Sequence, residues 1–579
     1  MFLLKGVGYR AHALFLSGLL LFGPVQAAES DWLWHKLLTS GGLNQAHLIS
    51  KETFRQHLVS KSDASAACHY PARAYIALND KKLFEQAISN CDDLNEFRRR
   101  VPFQELSLVF AAEDIASPAS NMGHVFLQVS GNDAEGNRKS YGISYLTEIS
   151  GNPVSLGYSL LFGGRRGGVT LGPASQEITK YVDLSKRTVW ITPVDVTDIN
   201  LEFMQLYLWE LRQNTPKYFF VQFNCATFIN HLISVSGKRR NEKLPIFQTP
   251  RELFNSFVNE QDPDVQIYPS VDWFLDALRH EGEKEYTAWL ASADNNLGTE
   301  SNADLNTSSL LYASNFTEKL RRKNKLENKQ ALQRLAYFQR ELDTRKGEAE
   351  SFFAENVPRP SSFFRPNKLS LGVSASDNND AVILQYRPAA IDVYSFQPLS
   401  FGVQENVLAS SIWSLSEETG NARLEQADIF SMSSLRPWSK ANPAYSFRTR
   451  LAFERLLDGK KQTTFTYKGG VSRRILNDVL VYALAGAGAG KQQGIASKGI
   501  GLIELGLKLN LLADFSFIAT RSFNLWGFDE TKKQIEDSLV LQRAFSRDYS
   551  LDISYKTLEK EFNADFSGER FQLSISRYF

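Results

Sequence analysis

Of the three cysteines in 579 residues, one opens a stretch in which sulfur is chemically useful. In YFFVQFNCATFINHLI an aromatic, strand-like run ends at Phe223, and Asn224, a preferred helix N-cap, comes immediately before Cys225. Phe228, Leu232 and Val235 then recur on one helical face with Ile229 and Ile233 beside them, so Cys225 falls in the first turn. There the unpaired backbone N–H groups and the positive end of the helix dipole favour the thiolate, the nucleophilic form of cysteine. The same amides could hold the oxyanion formed when a thiolate attacks an ester or amide carbonyl. The bland alternative is a small buried hydrophobe.

A thiol nucleophile needs a base. Between residues 106 and 258 the sequence has two histidines. His231 follows Cys225 on the same predicted helix, about 240° around the axis, and points away. His124 opens GHVFLQV, where strand alternation puts His124, Phe126 and Gln128 on one face and Val125, Leu127 and Val129 on the other. Gly123 permits close backbone approach, and SPASNM reads as a turn that leaves His124 at a strand end. Taken alone, a strand histidine is more often structural. Sites of this kind often use a third polar residue to orient the imidazole; Tyr141 and Ser144, on the next predicted strand, are the candidates, with Asn224 in support through its cap. No histidines or carboxylates show metal-ligand spacing, so neither metal nor cofactor is expected.

LFGGRRGGVTLGP surrounds Arg165 and Arg166 with glycines, as a mobile basic flap for a lipid phosphate or carboxylate would, or equally a surface hairpin with solvated arginines. It lacks the lysine-serine or lysine-threonine ending of a nucleotide phosphate loop, which excludes ATP. Arg187, in SKRTVW, suits a structural ion pair.

The elements that must position these groups come in blocks. Lys5 and Arg10 precede the apolar run ALFLSGLLLFG, and Val25 and Ala27 supply small residues at a cleavage site, so residues 1–27 read as a secretory signal, too short to cross about 30 Å of hydrocarbon as a helix. Residues 28–105 carry helical periodicity. In an oxidising compartment Cys68 and Cys91 pair across it and leave Cys225 free. Residues 106–258 mix short alternating strands with helices and read as one α+β domain. Residues 259–364 form a helical connector whose charges are mixed and apolar residues sparse, closed by the proline-rich PRPSSFFRP.

From residue 365 to 579 the chain alternates without a convincing helix, in segments such as KLSLGVSAS, DAVILQYRP and IGLIELGLKLNLL, each long enough to cross a bilayer tilted. About twelve antiparallel strands follow, as a closed β-barrel or, less favoured, a soluble sandwich. The end, with Phe571, Leu573, Ile575 and Phe579, resembles the terminal signature of bacterial outer-membrane barrels, although Arg577 breaks its alternation. In lipid only helices and closed barrels satisfy their backbone groups. With 65 basic and 64 acidic residues the net charge is +1, and no global field invites nucleic acid.

A strand histidine followed much later by NC at a helix start resembles the circularly permuted papain-like fold of the lecithin:retinol acyltransferase group and of relatives of NlpC-type cell-wall peptidases. SPASNMGHVFLQV, LFGGRRGGVTLGP, KYVDLSKRTVW and YFFVQFNCATFINHL, in that order, resemble the N-terminal periplasmic domain named for the bacterial lipoprotein N-acyltransferase Lnb. The resemblance implies Cys225 as acyl-carrying nucleophile and His124 as its base. Two departures stand out: Phe228 and Ile229 lie where the family usually has an arginine, and a barrel replaces helical anchors. The expectation is a cysteine acyltransferase acting on phospholipid or lipoprotein at the outer membrane, its N-terminal domains periplasmic and its barrel inserted by the barrel assembly machinery. A thiol hydrolase on cell-wall peptides and a non-enzymatic interaction module are the alternatives.

Overall fold

The computed structural model describes residues 34, 37, 50–60, 65–114, 122–148, 163–213, 215–220, 222–237, 248–258, 265–292, 305–377, 380–388, 391–397, 399, 402–416, 420–512, 514–529, 532–561 and 565–579. The expected signal, 1–27, lies outside them.

Five short helices open the described chain: α1 (Lys51–Val59), α2 (Ala66–His69), α3 (Pro71–Leu78), α4 (Lys81–Ile88) and α5 (Asp92–Arg100). Their ends follow the usual chemistry. Ser50 and Asp80 cap α1 and α4, Pro71 starts α3, and α5 carries Asp92 and Asp93 in its first turn and Arg98, Arg99 and Arg100 in its last, complementing the dipole. Cys68 and Cys91 are bonded, Cα atoms 5.3 Å apart. These helices do not bury a separate core. Phe54, Ile76, Phe84 and Ile88 belong to one apolar cluster with Leu108, Val125, Tyr207 and Phe228 of the next domain.

That domain is built on a seven-stranded sheet in the order β6-β4-β3-β2-β1-β5-β7. Its strands are β1 (Glu105–Ala111), β2 (His124–Asn132), β3 (Arg138–Thr147), β4 (Arg165–Pro173), β5 (Val189–Val194), β6 (Lys217–Tyr218) and β7 (Gln266–Tyr268). Period-two alternation gives the sheet two apolar faces. Phe110, Val125, Leu127, Tyr145 and Trp190 meet α7 (Leu201–Gln213) and α8 (Cys225–Ser236). Val109, Ala111, Phe126, Val189 and Ile191 meet Tyr181, in the π-helical turn Lys180–Leu184 that continues α6 (Ala174–Thr179).

After α9 (Pro250–Asn255), the connector comprises α10 (Val271–Ala277), α11 (Arg279–Ser292), α12 (Thr307–Arg322), α13 (Asn328–Thr344) and α14 (Lys346–Asn356). The sparse apolar positions suffice for a core of their own, around Leu275, Tyr286, Trp289, Tyr312 and Phe338. The proline-rich break is ordered. Phe363 lies under the Arg251 guanidinium, 4.6 Å from its centre, and Phe364 stacks on Tyr578 at 4.2 Å.

Twelve antiparallel strands then close on themselves. They run β8 (Lys368–Ser376), β9 (Ala381–Arg387), β10 (Val403–Ser416), β11 (Ala422–Leu435), β12 (Ser446–Arg455), β13 (Lys461–Leu476), β14 (Val479–Gln492), β15 (Ile495–Leu512), β16 (Phe515–Trp526), β17 (Lys533–Ser546), β18 (Tyr549–Lys560) and β19 (Phe566–Tyr578). β19 pairs with β8 and β9 with β10, so no edge remains. Leu369, Leu371, Val373, Leu384, Leu573 and Ile575 face outward and are exposed, while Ser370, Gln385, Glu504, Lys508 and Ser574 face the lumen and are buried. This is the alternation of a lipid-facing barrel. Arg577 is exposed near the end of β19, where a long cation stays hydrated. Among the described residues no helix is long and apolar enough to cross a membrane.

The lumen is crossed at one end. The described residues 391–397 and 399 between β9 and β10 fold inward, and Lys508 on β15, in the opposite wall, donates to the carbonyls of Val393 (2.7 Å), Tyr394 (3.2 Å) and Ser395 (2.9 Å). Asn510 holds Gln397 O at 2.9 Å, and Val393, Leu399 and Val403 pack on Leu480, Tyr482 and Ile518. This is the end that meets the connector. Asn442 donates to Asp276 at 2.8 Å, Lys319 to Asn442 at 2.8 Å, and Arg436 pairs with Asp114 at 3.4 Å.

Candidate active site

The start of α8 is fixed by a reciprocal cap. Asn224 Oδ1 accepts from the backbone N–H of Ala226 (2.9 Å) and Thr227 (3.1 Å), and Thr227 Oγ1 accepts from Asn224 N (2.8 Å). The Asn224 amide nitrogen is itself spent on Phe220 O and Gln248 O, so the cap is anchored from three sides. The cysteine that follows is 3% exposed.

Its sulfur lies within hydrogen-bonding reach of the backbone N–H groups of Val125, of Ala226 and of Cys225 itself. Burial pushes the thiol up to about 11 against these amides and the positive charge of Arg187. The thiol is therefore protonated at rest. Tyr218, ending β6, brings its phenol to the Cys225 sulfur and backbone N–H, and burial holds that phenol well above its ordinary range.

Val125 ties the helix to the strand of the expected base, since His124 is the residue before it. His124 sits at the first position of β2, preceded by Gly123 at φ +84°, where an added Cβ would lie 2.7 Å from Phe110 Cε2. Only glycine fits that turn. The imidazole packs beside Phe126 and Tyr181, ring centres 6.2 and 5.7 Å away, and its Nε2 is buried without a hydrogen-bond partner. Burial, with Arg187 and Lys180 nearby, lowers it to about 3, so the ring is neutral. Alternation sends His124 to the face opposite α8, but both groups stand at the same end of the sheet, and Tyr181 and Arg187 act on each of them. In this resting state the pair is neutral, and no hydrogen bond joins the sulfur to Nε2.

The other expected residues divide. Ser144 follows Ile143, which pairs with Leu127, and so shares the His124 face; it is fully buried, its Oγ without a partner. Tyr141, opposite Val129, lies on the other face. Arg165 and Arg166 are not in a free flap: they open β4 and pair with Tyr218 and Lys217 at the sheet edge. Pairing with a second strand overrides the glycine-rich sequence. Arg187 donates to Ala111 O at 2.9 Å and to Ala112 O, clamping the end of β1 rather than a carboxylate. His231 bonds the Tyr207 hydroxyl at 3.0 Å, deep in the helix packing. Tyr218 carried no signal: the two residues of β6 show no periodicity, and only tertiary pairing brings the phenol to the cysteine. No three His, Cys, Asp or Glu among the described residues group to hold a metal.

A buried, capped thiol beside a strand histidine, on a domain joined to a closed lipid-facing barrel, defines a membrane-anchored protein with a thiol site outside the bilayer. Residues 93–256 match the Lnb N-terminal periplasmic domain, so the chain carries that domain, and residues 358–578 match a domain of unknown function, DUF7840. No curated protein matches the chain. Solved structures similar to it include the NanC porin (12% identity, TM-score 0.25, covering 36% of this chain and 100% of that one). The KdgM porin in complex with disordered oligogalacturonate is similar at 8% identity and TM-score 0.24, covering 37% and 99%. An anion-selective porin from Comamonas acidovorans is similar at 8% identity and TM-score 0.20, covering 37% and 98%. At these scores the likeness says nothing of shared activity. The barrel and the periplasmic domain together make this an outer-membrane protein with a periplasmic N-terminal region.

Proposed function

We propose that the protein is a cysteine acyltransferase acting on lipid or lipoprotein esters at the periplasmic face of the outer membrane. The observation that carries this reading is Cys225 in the first turn of a capped helix, its sulfur met by the amide of the residue that follows His124. As the sulfur attacks an ester carbonyl, its proton passes to the His124 imidazole, which for this step turns from its place against Tyr181 toward the sulfur at the sheet end the two residues share. The carbonyl oxygen becomes an oxyanion held by the Cys225 N–H and the Tyr218 hydroxyl. The C–O bond then breaks, the imidazolium returns the proton to the departing alkoxide, and a thioester remains on Cys225. An acceptor amine attacks it, loses a proton to His124, and the sulfur leaves and regains that proton. A neutral imidazole is the form this sequence needs. The barrel keeps the site beside the leaflet at high effective concentration.

Intact-mass analysis of full-length protein incubated with a diacylated lipoprotein and phospholipid tests this. An acyl mass added at Cys225 in wild type, lost in Cys225→Ala and reduced about 100-fold or more in His124→Ala, is expected. Shortening of added muropeptides with no acyl adduct overturns it in favour of a hydrolase. Unchanged cellular function of a normally folded Cys225→Ala overturns both.

A further inference from the structure

A cavity with about 900 Å³ of empty space, part of it open to solvent, lies between the sheet domain, the linker and the mouth of the barrel. Its inner wall is the sheet end that carries the site. His124 pairs with Ala111, and Ala111 with Val189; with strands about 4.8 Å apart, Ala112 and Thr188 on the cavity wall lie roughly 5 to 10 Å from His124. Phe110, also on the wall, is the ring that Gly123 accommodates. The outer wall is Ile391, Gln397 and Arg436 of the barrel mouth, with Pro360 and Phe363 of the linker. The cavity thus sits between the sheet domain and the mouth of the barrel.

Three carboxylates share its wall and each is engaged, Glu113 by Arg251 at 2.5 Å, Asp272 by Lys186 at 3.4 Å and Asp276 by the Asn442 amide at 2.8 Å. Trp190 and Trp273 line it, both buried, and neither indole N–H has a partner. Arg187 is buried, while its acidic neighbours Glu113 and Asp114 are engaged by Arg251 at 2.5 Å and by Arg436 at 3.4 Å. A buried guanidinium with two idle donors beside it is a site for an anion.

We propose that this cavity binds the phosphodiester headgroup of a glycerophospholipid from the inner leaflet, with Arg187 supplying charge and Trp190 and Trp273 supplying hydrogen bonds. Only the glycerol carbons separate that phosphate from its acyl esters, so seating the headgroup here presents an ester carbonyl toward Cys225. This names the donor for the acyl transfer proposed above and rests on that reading; the chemical steps are the ones already given.

The test uses full-length Cys225→Ala protein, which binds without turning over, and native mass spectrometry with phosphatidylglycerol, with diacylglycerol, which has the same esters and no phosphate, and with inorganic phosphate. Phosphatidylglycerol should be retained about tenfold better than diacylglycerol, and Trp273→Phe or Arg187→Gln should each cut that preference about tenfold, with melting temperature confirming the fold. Equal retention of the two lipids, indifference of folded variants, or full displacement by inorganic phosphate overturns the proposal. If wild type forms no acyl-Cys225 while the preference holds, the thiol chemistry falls and the headgroup site stands. If acyl-Cys225 forms equally from both lipids, the site falls and the chemistry stands.

Discussion

At the scale of single residues the unusual feature is that the proposed nucleophile and the proposed base are both held neutral. The thiol at about 11 and the imidazole at about 3 are each displaced chiefly by burial. With Cys68 and Cys91 bonded, Cys225 is the sole free thiol, so alkylation reads it alone. Iodoacetamide labelling of the folded protein should rise about tenfold per pH unit from pH 7 toward 11. A plateau between pH 5 and 8 would mean a preformed ion pair instead. His124 also contributes an acid limb to stability. The unfolded chain takes up a proton below about 6.5, whereas the folded ring does so only near 3, so stability drains away as pH falls across that window. The sequence displayed Asn224, Cys225 and His124 because caps and strand starts are local events. Tyr218, Arg187 and the orphaned Ser144 hydroxyl acquire their surroundings from strand pairing, which spacing does not reveal.

At the scale of elements the disulfide staples α2 to the start of α5, and Trp209 of α7 donates to Cys68 O at 2.9 Å, so the bond also braces the helix behind the site. The closed loop spans 23 residues, for which chain entropy predicts about 3 kcal/mol. Cys68→Ser should lower chemical-denaturation stability by about that amount, and a change under about 0.5 kcal/mol would show that the shared core already fixes these helices. Helix periodicity and the Cys spacing made this unit legible, but not its fusion with the next domain, because an apolar face says nothing of what covers it. Among the barrel strands, β11 is the one that local pattern conceals. Glu425, Gln426 and Asp428 turn inward and leave a weak outward stripe of Leu424 and Ile429.

At the scale of the whole molecule the barrel carries a plug, residues 393–397 being held to the opposite wall by Lys508 and Asn510. The inward residues bound by Lys508 lie across the mouth, and behind them ion pairs line the lumen, Arg450 with Asp428 at 2.7 Å, Lys368 with Asp552 at 2.8 Å, and Glu504 between Arg448 and Lys468. In planar bilayers the wild-type protein should show no steady conductance, and Lys508→Ala, which removes the cation gripping three carbonyls, should produce intermittent openings. Ohmic current from the wild type would show that the plug does not close the lumen. The closed architecture was visible in the strand count and outward alternation. The plug was not, since its contacts come from Lys508 in the opposite wall, more than a hundred residues further along the chain.

A stoppered barrel also settles traffic. Under the proposed acyl transfer, the product at Cys225 meets a plugged mouth rather than an open lumen, and so returns to the leaflet or departs sideways along the inner surface. The strands are thus moorings for a domain that faces the periplasm.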